Sequence, residues 1–238
     1  MAGKPFRCPW HQFPEVVLHS PESMVKHHSA YALAKSGDLD AAYHLVEDTL
    51  VEDALRQIQL IVGDKRPYLV SAHALERSGV NAIPEALADE VGERLCLPVD
   101  SSIVQTNIVG HTGASGFARL ARQALFNGPV EAGADYFLVD DFIGQGGTLA
   151  NLRGYLEHMG ATVLGATSLT GKPYSAKITV EMQQLTDLRS KHGKDLEIWW
   201  EDRFGHAFDC FTQSEARYLT NTSDADTIRD RITAQEQT

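Results

Sequence analysis

The chain has 238 residues, 43% of them hydrophobic, with a formal net charge of -11. That size suits one large α/β domain or a domain with an appended subdomain, and the acidic balance disfavours a nucleic-acid-binding surface. No run of about 18 apolar residues and no secretory h-region is visible, which argues against membrane insertion and for a cytoplasmic protein. The three cysteines, Cys8, Cys96 and Cys210, are odd in number and far apart, as expected of buried thiols in a reducing compartment.

Residues 1–20, with three prolines and two histidines, read as an irregular arm. From Pro21 to Val62 the periodicity is helical and predicts a hairpin. Lys35-Ser36-Gly37-Asp38 breaks it, and Asp38 caps a longer helix with Leu39, Ala42, Leu45, Val46 and Leu50 on one face. Tyr68-Leu69-Val70 reads as a buried strand. Pro84 opens a helix to about Arg94, and Cys96–Val99 is a further strand edge that Ile103-Val104 extends after a break. Residues 110–116 form a glycine-rich loop, Phe117–Phe126 a helix and Asn127-Gly128-Pro129 a turn. Tyr136–Val139 is a strand, Thr148–Met159 a helix with Gly160 past its end, and Thr162–Leu169 a strand. Ser175 caps a helix running toward Lys191, and Leu196–Trp200 is a last strand candidate. Thr212-Gln213-Ser214-Glu215 has the capping-box pattern, and a polar helix follows Ser223. Strands alternating with helices predict a doubly wound parallel α/β sheet, whose ligands bind beyond the carboxyl ends of the strands.

The chemistry is concentrated in Tyr136–Leu149, YFLVDDFIGQGGTL. The peptide N–H groups of Gly144, Gln145, Gly146, Gly147 and Thr148 would point outward at the positive end of a helix, where a phosphate monoester fits. Asp140 and Asp141 precede them and select hydroxyls or a bound Mg²⁺. A ribose 5-phosphate unit carries both complements on one small molecule.

Val139–Leu149 resembles the 5-phosphoribosyl-1-pyrophosphate (PRPP) loop of type I phosphoribosyltransferases, except that Gln145 stands where that family usually has a hydroxyl. The resemblance implies a core at 65–175, with the arm and hairpin at 1–64 and an α/β extension at 176–238 forming a hood in the same domain. It implies displacement of pyrophosphate from PRPP by a nucleobase-like acceptor, with Mg²⁺ carried on the substrate and held indirectly through Asp140 and Asp141. Asp140 and Asp141 would bind the ribose hydroxyls. Ala72, His73 and Arg77 would belong to a pyrophosphate loop. A mobile loop at about Thr106–Pro129 would bring His111, Arg119 and Arg122, with Arg119 the catalytic candidate. A homodimer is also implied.

Gly144 stands where 6-oxopurine members carry Asp, and Thr106–Pro129 contains no Lys, unlike the mobile loop of orotate enzymes. Both disfavour those acceptors and leave the acceptor unidentified. A PRPP- or nucleotide-sensing regulator without turnover, or a hydrolase of PRPP or a nucleotide, remains open beside the transferase.

Other motifs carry blander readings. Lys172-Pro173 imitates a receiver domain, but 30 residues between Asp141 and Lys172 are too few for the intervening elements. Gly110, Gly113 and Gly116 lack the Lys-Ser/Thr of a Walker loop. Cys8 and His11 are half of a zinc pattern that His19, His27 and His28 could complete in space. Trp199-Trp200 could wall an acceptor pocket or pack a core.

Overall fold

The computed structural model describes residues 3–72, 75–76, 79–109 and 115–236. The arm ends in a short strand, β1 (Val17–Leu18), followed by helices α1 (Glu22–Lys26), α2 (Tyr31–Lys35), α3 (Leu39–Thr49) and α4 (Glu52–Val62). The Asp38 carboxylate accepts the Ala41 N–H at 2.9 Å and starts α3. Next come β2 (Tyr68–Ser71), the antiparallel pair β3 (Leu75–Glu76) and β4 (Gly79–Val80), α5 (Ile83–Leu95) and β5 (Val99–Asp100). A second antiparallel pair, β6 (Val104–Gln105) and β7 (Phe126–Asn127), brackets α6 (Gly116–Ala121). The long strands β8 (Asp135–Ile143) and β9 (Thr162–Gly171) enclose α7 (Gly147–His158). Among the described residues, five α-helices follow, α8 (Pro173–Ala176), α9 (Met182–His192), α10 (Lys194–Phe204), α11 (Gln213–Thr220) and α12 (Ala225–Glu236), with one 3-10 turn (Phe208–Cys210) between α10 and α11.

The main sheet is parallel throughout, in the order β1-β9-β8-β2-β5. Period-two alternation assigns its faces. Leu69, Phe137 and Val139 join the cluster formed by α3, α4 and α5. Val70, Tyr136 and Leu138 join Leu149, Leu152 and Leu156 of α7 on the other side. Helices on both faces make the sheet doubly wound. The chain passes from β2 outward to β5, then returns to place β8 on the opposite side of β2. The order therefore reverses between β2 and β8, the place where parallel sheets open a crevice for ligands. The Ala72 N–H donates to the Val139 carbonyl at 2.9 Å and closes the two lips of that crevice.

Several local expectations differ from the structure for identifiable reasons. Leu196–Trp200 is helical, because Leu196, Trp200 and Phe204 recur at intervals of four and bury one stripe of α10. Trp200 is fully buried with Phe208 and Phe211 in a third cluster, so it packs a core and walls no pocket. The extension after β9 is therefore helical among the described residues, not α/β. Asp100 accepts from both the backbone N–H and the hydroxyl of Ser102, turning the chain so that Val104 pairs with β7 instead of prolonging β5. α6 stops at Ala121 instead of Phe126. The Asn107 side chain binds the Gln123 carbonyl and the Leu125 N–H, which draws that stretch out of the helix. The helix at Ser175 lasts one turn, and α9 starts afresh at Met182, because the Ile178 carbonyl accepts the Gln213 N–H in an extended segment. The arm was expected to be irregular, yet its Val17 and Leu18 form the sheet edge beside β9. Cys96 is exposed at the end of α5, whereas Cys210 is buried and Cys8 half-buried.

Candidate functional site

β8 carries the acid pair to the carboxyl end of the sheet. Successive strand residues face opposite sides, so Asp140 turns inward at 8% exposure while Asp141 meets the N-terminal helices. The Asp141 N–H donates to Asp140 Oδ1 at 2.9 Å. Burial holds the Asp140 carboxyl well above the usual carboxylate range, and the Asp141 charge adds to the effect. The backbone N–H of Asp141 and the Lys35 charge pull the other way without cancelling it. Lys35 Nζ, from the last turn of α2, bonds Asp141 Oδ2 at 3.1 Å. Lys26 of α1 lies 4.5 Å from the centre of the Phe142 ring.

After β8 the chain makes its glycine turn into α7. Gly146 is the N-cap at φ +81°, a left-handed conformation that glycine adopts without strain. Having no side chain, it leaves the first N–H groups of α7 uncapped from its own position. The Thr212 hydroxyl donates to the Gln145 carbonyl at 2.5 Å and ties the turn to the start of α11. A Cβ on Gly147 would fall 2.8 Å from Glu215 Oε1 and 3.2 Å from an Arg7 nitrogen. Behind the turn, Arg7 pairs with Glu215 through two bonds of 2.6 and 2.9 Å, and its Nε donates to Asn151 Oδ1 at 2.6 Å. Both charged side chains are only 2% exposed. Glu215 also completes the capping box with Thr212. On the open side of the turn, a Cβ on Gly144 would stand 2.4 Å from an Arg119 Nη1. Glycine at 144 is what allows α6 to lay that guanidinium against the backbone.

One cleft brings together Ala72, Arg119, the two acids and Gly144–Thr148. His73, Arg77 and His111 lie outside the described residues. Arg122 does not reach the cleft; its guanidinium donates to the Gln235 carbonyl of α12 at 3.2 and 3.4 Å. Sequence reasoning missed Lys26, Lys35, Arg7, Gln105 and Gln123, which line the same cleft. None of them sits in a motif; Arg7, Lys26 and Lys35 arrive from the N-terminal part of the chain, and Gln105 and Gln123 from the segment around α6.

The zinc pattern is not assembled. Cys8 donates to Glu157, and its thiol is pushed up to about 12, chiefly by burial. His19 is buried against the Thr167 hydroxyl at 3.0 Å. Among the described residues His28, His44 and Asp48 alone are gathered closely enough to share a metal. However, the Ala30 N–H donates to His28 Nδ1 at 3.2 Å, which leaves the proton of the neutral ring on Nε2. That proton faces Asp48 Oδ2 at 3.0 Å, the geometry of a hydrogen bond and not of a metal ligand.

No protein-family model matches the chain. It is 38% identical over 228 residues to "Protein TraN" of Escherichia coli, a match that covers 96% of this chain and 51% of that one. It is also 38% identical over 144 residues to an uncharacterised protein of Haemophilus influenzae, covering 60% of this chain and 32% of the other. The chain thus spans about half the length of the first relative, and its match covers about a third of the second. Among solved structures it is similar to an adenine phosphoribosyltransferase at a TM-score of 0.37 and 16% identity, over 56% of this chain and 71% of that one.

Proposed function

We propose that the cleft binds PRPP and transfers its phosphoribosyl group to a nucleobase-like acceptor with release of pyrophosphate. The observation that carries this reading is the joining of a carboxylate pair to an uncapped helix start by one short glycine turn, at the sheet's switch point. The turn suits the 5-phosphate: Gly144–Thr148 offer backbone N–H groups, and the Thr148 hydroxyl adds a donor. The acids suit the 2- and 3-hydroxyls of the ribose. Lys26, Lys35 and Arg119 supply positive charge to one cleft in a chain of net charge -11, as a pyrophosphorylated ligand requires.

In the transfer, the bond from the anomeric carbon to the pyrophosphate oxygen breaks, and a bond to an acceptor ring nitrogen forms. The proton of that nitrogen leaves to water or to the departing pyrophosphate. Asp140 and Asp141, held beside the ribose, lend negative charge to the oxocarbenium-like transition state. Arg119 is placed by α6 to meet negative charge over the turn, and the same segment would exclude water.

The acid pair also fits a hard divalent cation. Its donors are all oxygen, and two carboxylates stand side by side there with Lys35 bonded to one of them. Asp140 and Asp141 would hold Mg²⁺ brought with PRPP, whose charge would stabilise pyrophosphate as a leaving group.

Gln145 favours a second reading. Its amide carbonyl is buried without a hydrogen-bond partner in the turn where a hydroxyl would serve the phosphate, which keeps a PRPP- or nucleotide-sensing role open. An assay of pyrophosphate release from Mg-PRPP with a panel of nucleobases decides among the readings. Acceptor-dependent release is expected. Release without any acceptor would make the protein a hydrolase, and binding without release would make it a sensor.

A further inference from the structure

Arg7 of the arm and Glu215 of α11 form an ion pair directly behind the glycine turn, and both line the cleft. The arm is fitted to that position. Phe6 stacks on His158 with ring centroids 3.9 Å apart, and a Cβ on Gly154 would fall 2.6 Å from the Arg7 Cα. Arg7 Nε donates to Asn151 Oδ1 of α7 at 2.6 Å, and Nη1 reaches the Cys210 carbonyl at 3.4 Å. Both Nη atoms bond the Glu215 carboxylate. The guanidinium is turned to acceptors of the protein itself, so its effect on a ligand runs through Glu215.

A buried ion pair is a weak source of stability, since apolar side chains of similar volume often serve as well. This pair has a further reason to exist. Glu215 completes the capping box with Thr212, whose hydroxyl holds the Gln145 carbonyl of the turn. The same carboxylate comes close to the helix start that the turn opens. Its Oε1 lies 2.8 Å from where a Cβ on Gly147, the first residue of α7, would stand. A helix start carries about half an elementary positive charge. A full negative charge so near, shielded from solvent ions by burial, outweighs it. With Glu215 alone the turn would repel a phosphate. With Arg7 bonded to both carboxylate oxygens the pair is neutral, and the helix end keeps its attraction for anions.

We propose that Arg7 is a positioning residue of the phosphate turn: delivered by the N-terminal arm, it neutralises Glu215 at the start of α7 and so keeps that helix end open to the 5-phosphate. This rests on the phosphoribosyl-transfer reading above, in which the turn takes that phosphate. Glu215 supplies the geometry of the turn and Arg7 corrects the electrostatic consequence. Arg7 acts through its partner and makes no bond to the reacting atoms. The arm, which no motif marks, thereby belongs to the ligand site.

The test is calorimetric titration of ribose 5-phosphate into the unaltered protein, Arg7→Met, Glu215→Gln and the double variant Arg7→Met/Glu215→Gln. Glutamine is the replacement because it too can close a capping box. Arg7→Met is expected to weaken binding by at least about tenfold, the effect of one uncompensated buried charge beside the ligand. Glu215→Gln is expected to bind at least about threefold more tightly than the unaltered protein, because the Arg7 charge is then unmasked. The double variant is expected to return to within about threefold of the unaltered affinity. Thermal unfolding without ligand should show Glu215→Gln to be less stable all the same. Tighter binding by a less stable protein is a result that a purely structural role would not give. Equal or weaker binding by Glu215→Gln would overturn the proposal, even if Arg7→Met does not fold. So would a double variant that binds as weakly as Arg7→Met. Absence of binding to the unaltered protein would overturn the phosphate reading of the turn, and this inference with it, before any substitution is made.

Discussion

In this fold the Asp140 carboxyl is buried beside a second carboxylate, and both circumstances oppose its ionisation. Its folded pKa lies above the unfolded value near 3.9, so the group favours the folded state most at low pH. That contribution is lost as pH rises from the unfolded value through the folded one. At neutral pH, Asp140→Asn is therefore expected to raise the melting temperature of the protein without added ligand, by about 2–4 °C for each kcal/mol relieved, while abolishing Mg-PRPP binding. A thermal scan showing an unchanged or lower melting temperature would contradict this account of the acid pair. Gly146 makes the complementary case for the turn. At φ +81°, with Ile178 and Thr212 atoms 3.2 Å from where a Cβ would lie, Gly146→Ala is expected to cost about 1 kcal/mol or more and to weaken phosphate binding. Thermal unfolding with and without ribose 5-phosphate reads both effects. Gly146 and the acids were legible in the sequence because strand, acids, turn and helix follow one another within fifteen residues, and local chemistry dictates each step. Lys35 was not legible, because its bond to Asp141 joins positions 106 residues apart and exists only once the chain has folded.

The helix that follows the turn is held from behind by a segment with no regular structure. A Cβ on Gly154 of α7 would fall 2.3 Å from the Phe6 carbonyl oxygen, so the arm lies directly on that helix. The arm inserts Arg7 between α7 and α11, where it neutralises Glu215. Removing one partner of a buried ion pair strands the other charge, so Arg7→Met is expected to destabilise by about 3–5 kcal/mol. The double variant Arg7→Met/Glu215→Met should recover much of that loss, and urea midpoints of the three proteins measure it. A double variant as unstable as the sum of the singles would show that the pair acts through something other than its charges. The same region is sensitive to acid. Burial, with the Arg7 charge adding to it, lowers the His206 pKa to about 3 from the usual 6.5. The unfolded chain binds this proton first, so stability falls as pH drops from 6.5 toward 3, by at most about 1.4 kcal/mol per pH unit. His206→Phe is expected to flatten that slope in denaturant titrations at pH 5 and 7.

At the scale of the molecule, three clusters divide the burial: one on each face of the sheet, and one among the C-terminal helices. The alternation of strand and helix patterns was enough to foresee a parallel, doubly wound sheet. It was not enough to foresee α10, where five residues with four apolar positions fit a strand as well as a helix until Phe204 extends the stripe. It also missed β1, because two residues carry no period, and the pairing of Val17 with Thr167 is settled only by tertiary contact. The cluster around Trp200 supports the helices that carry Thr212 and Glu215 to the glycine turn. Trp200→Ala is expected to cost about 3–5 kcal/mol and to loosen that support; denaturant unfolding checks the cost.

In the function proposed above, the acid pair and the glycine turn hold one ligand between them. Calorimetric titration of Mg-PRPP into the protein and into the Asp140→Asn/Asp141→Asn variant tests it most directly. Micromolar binding to the unaltered protein, lost in the variant while its fold persists, is the expected result. No binding to the unaltered protein, or equal binding to both, would contradict the assignment of this cleft to a ribose phosphate.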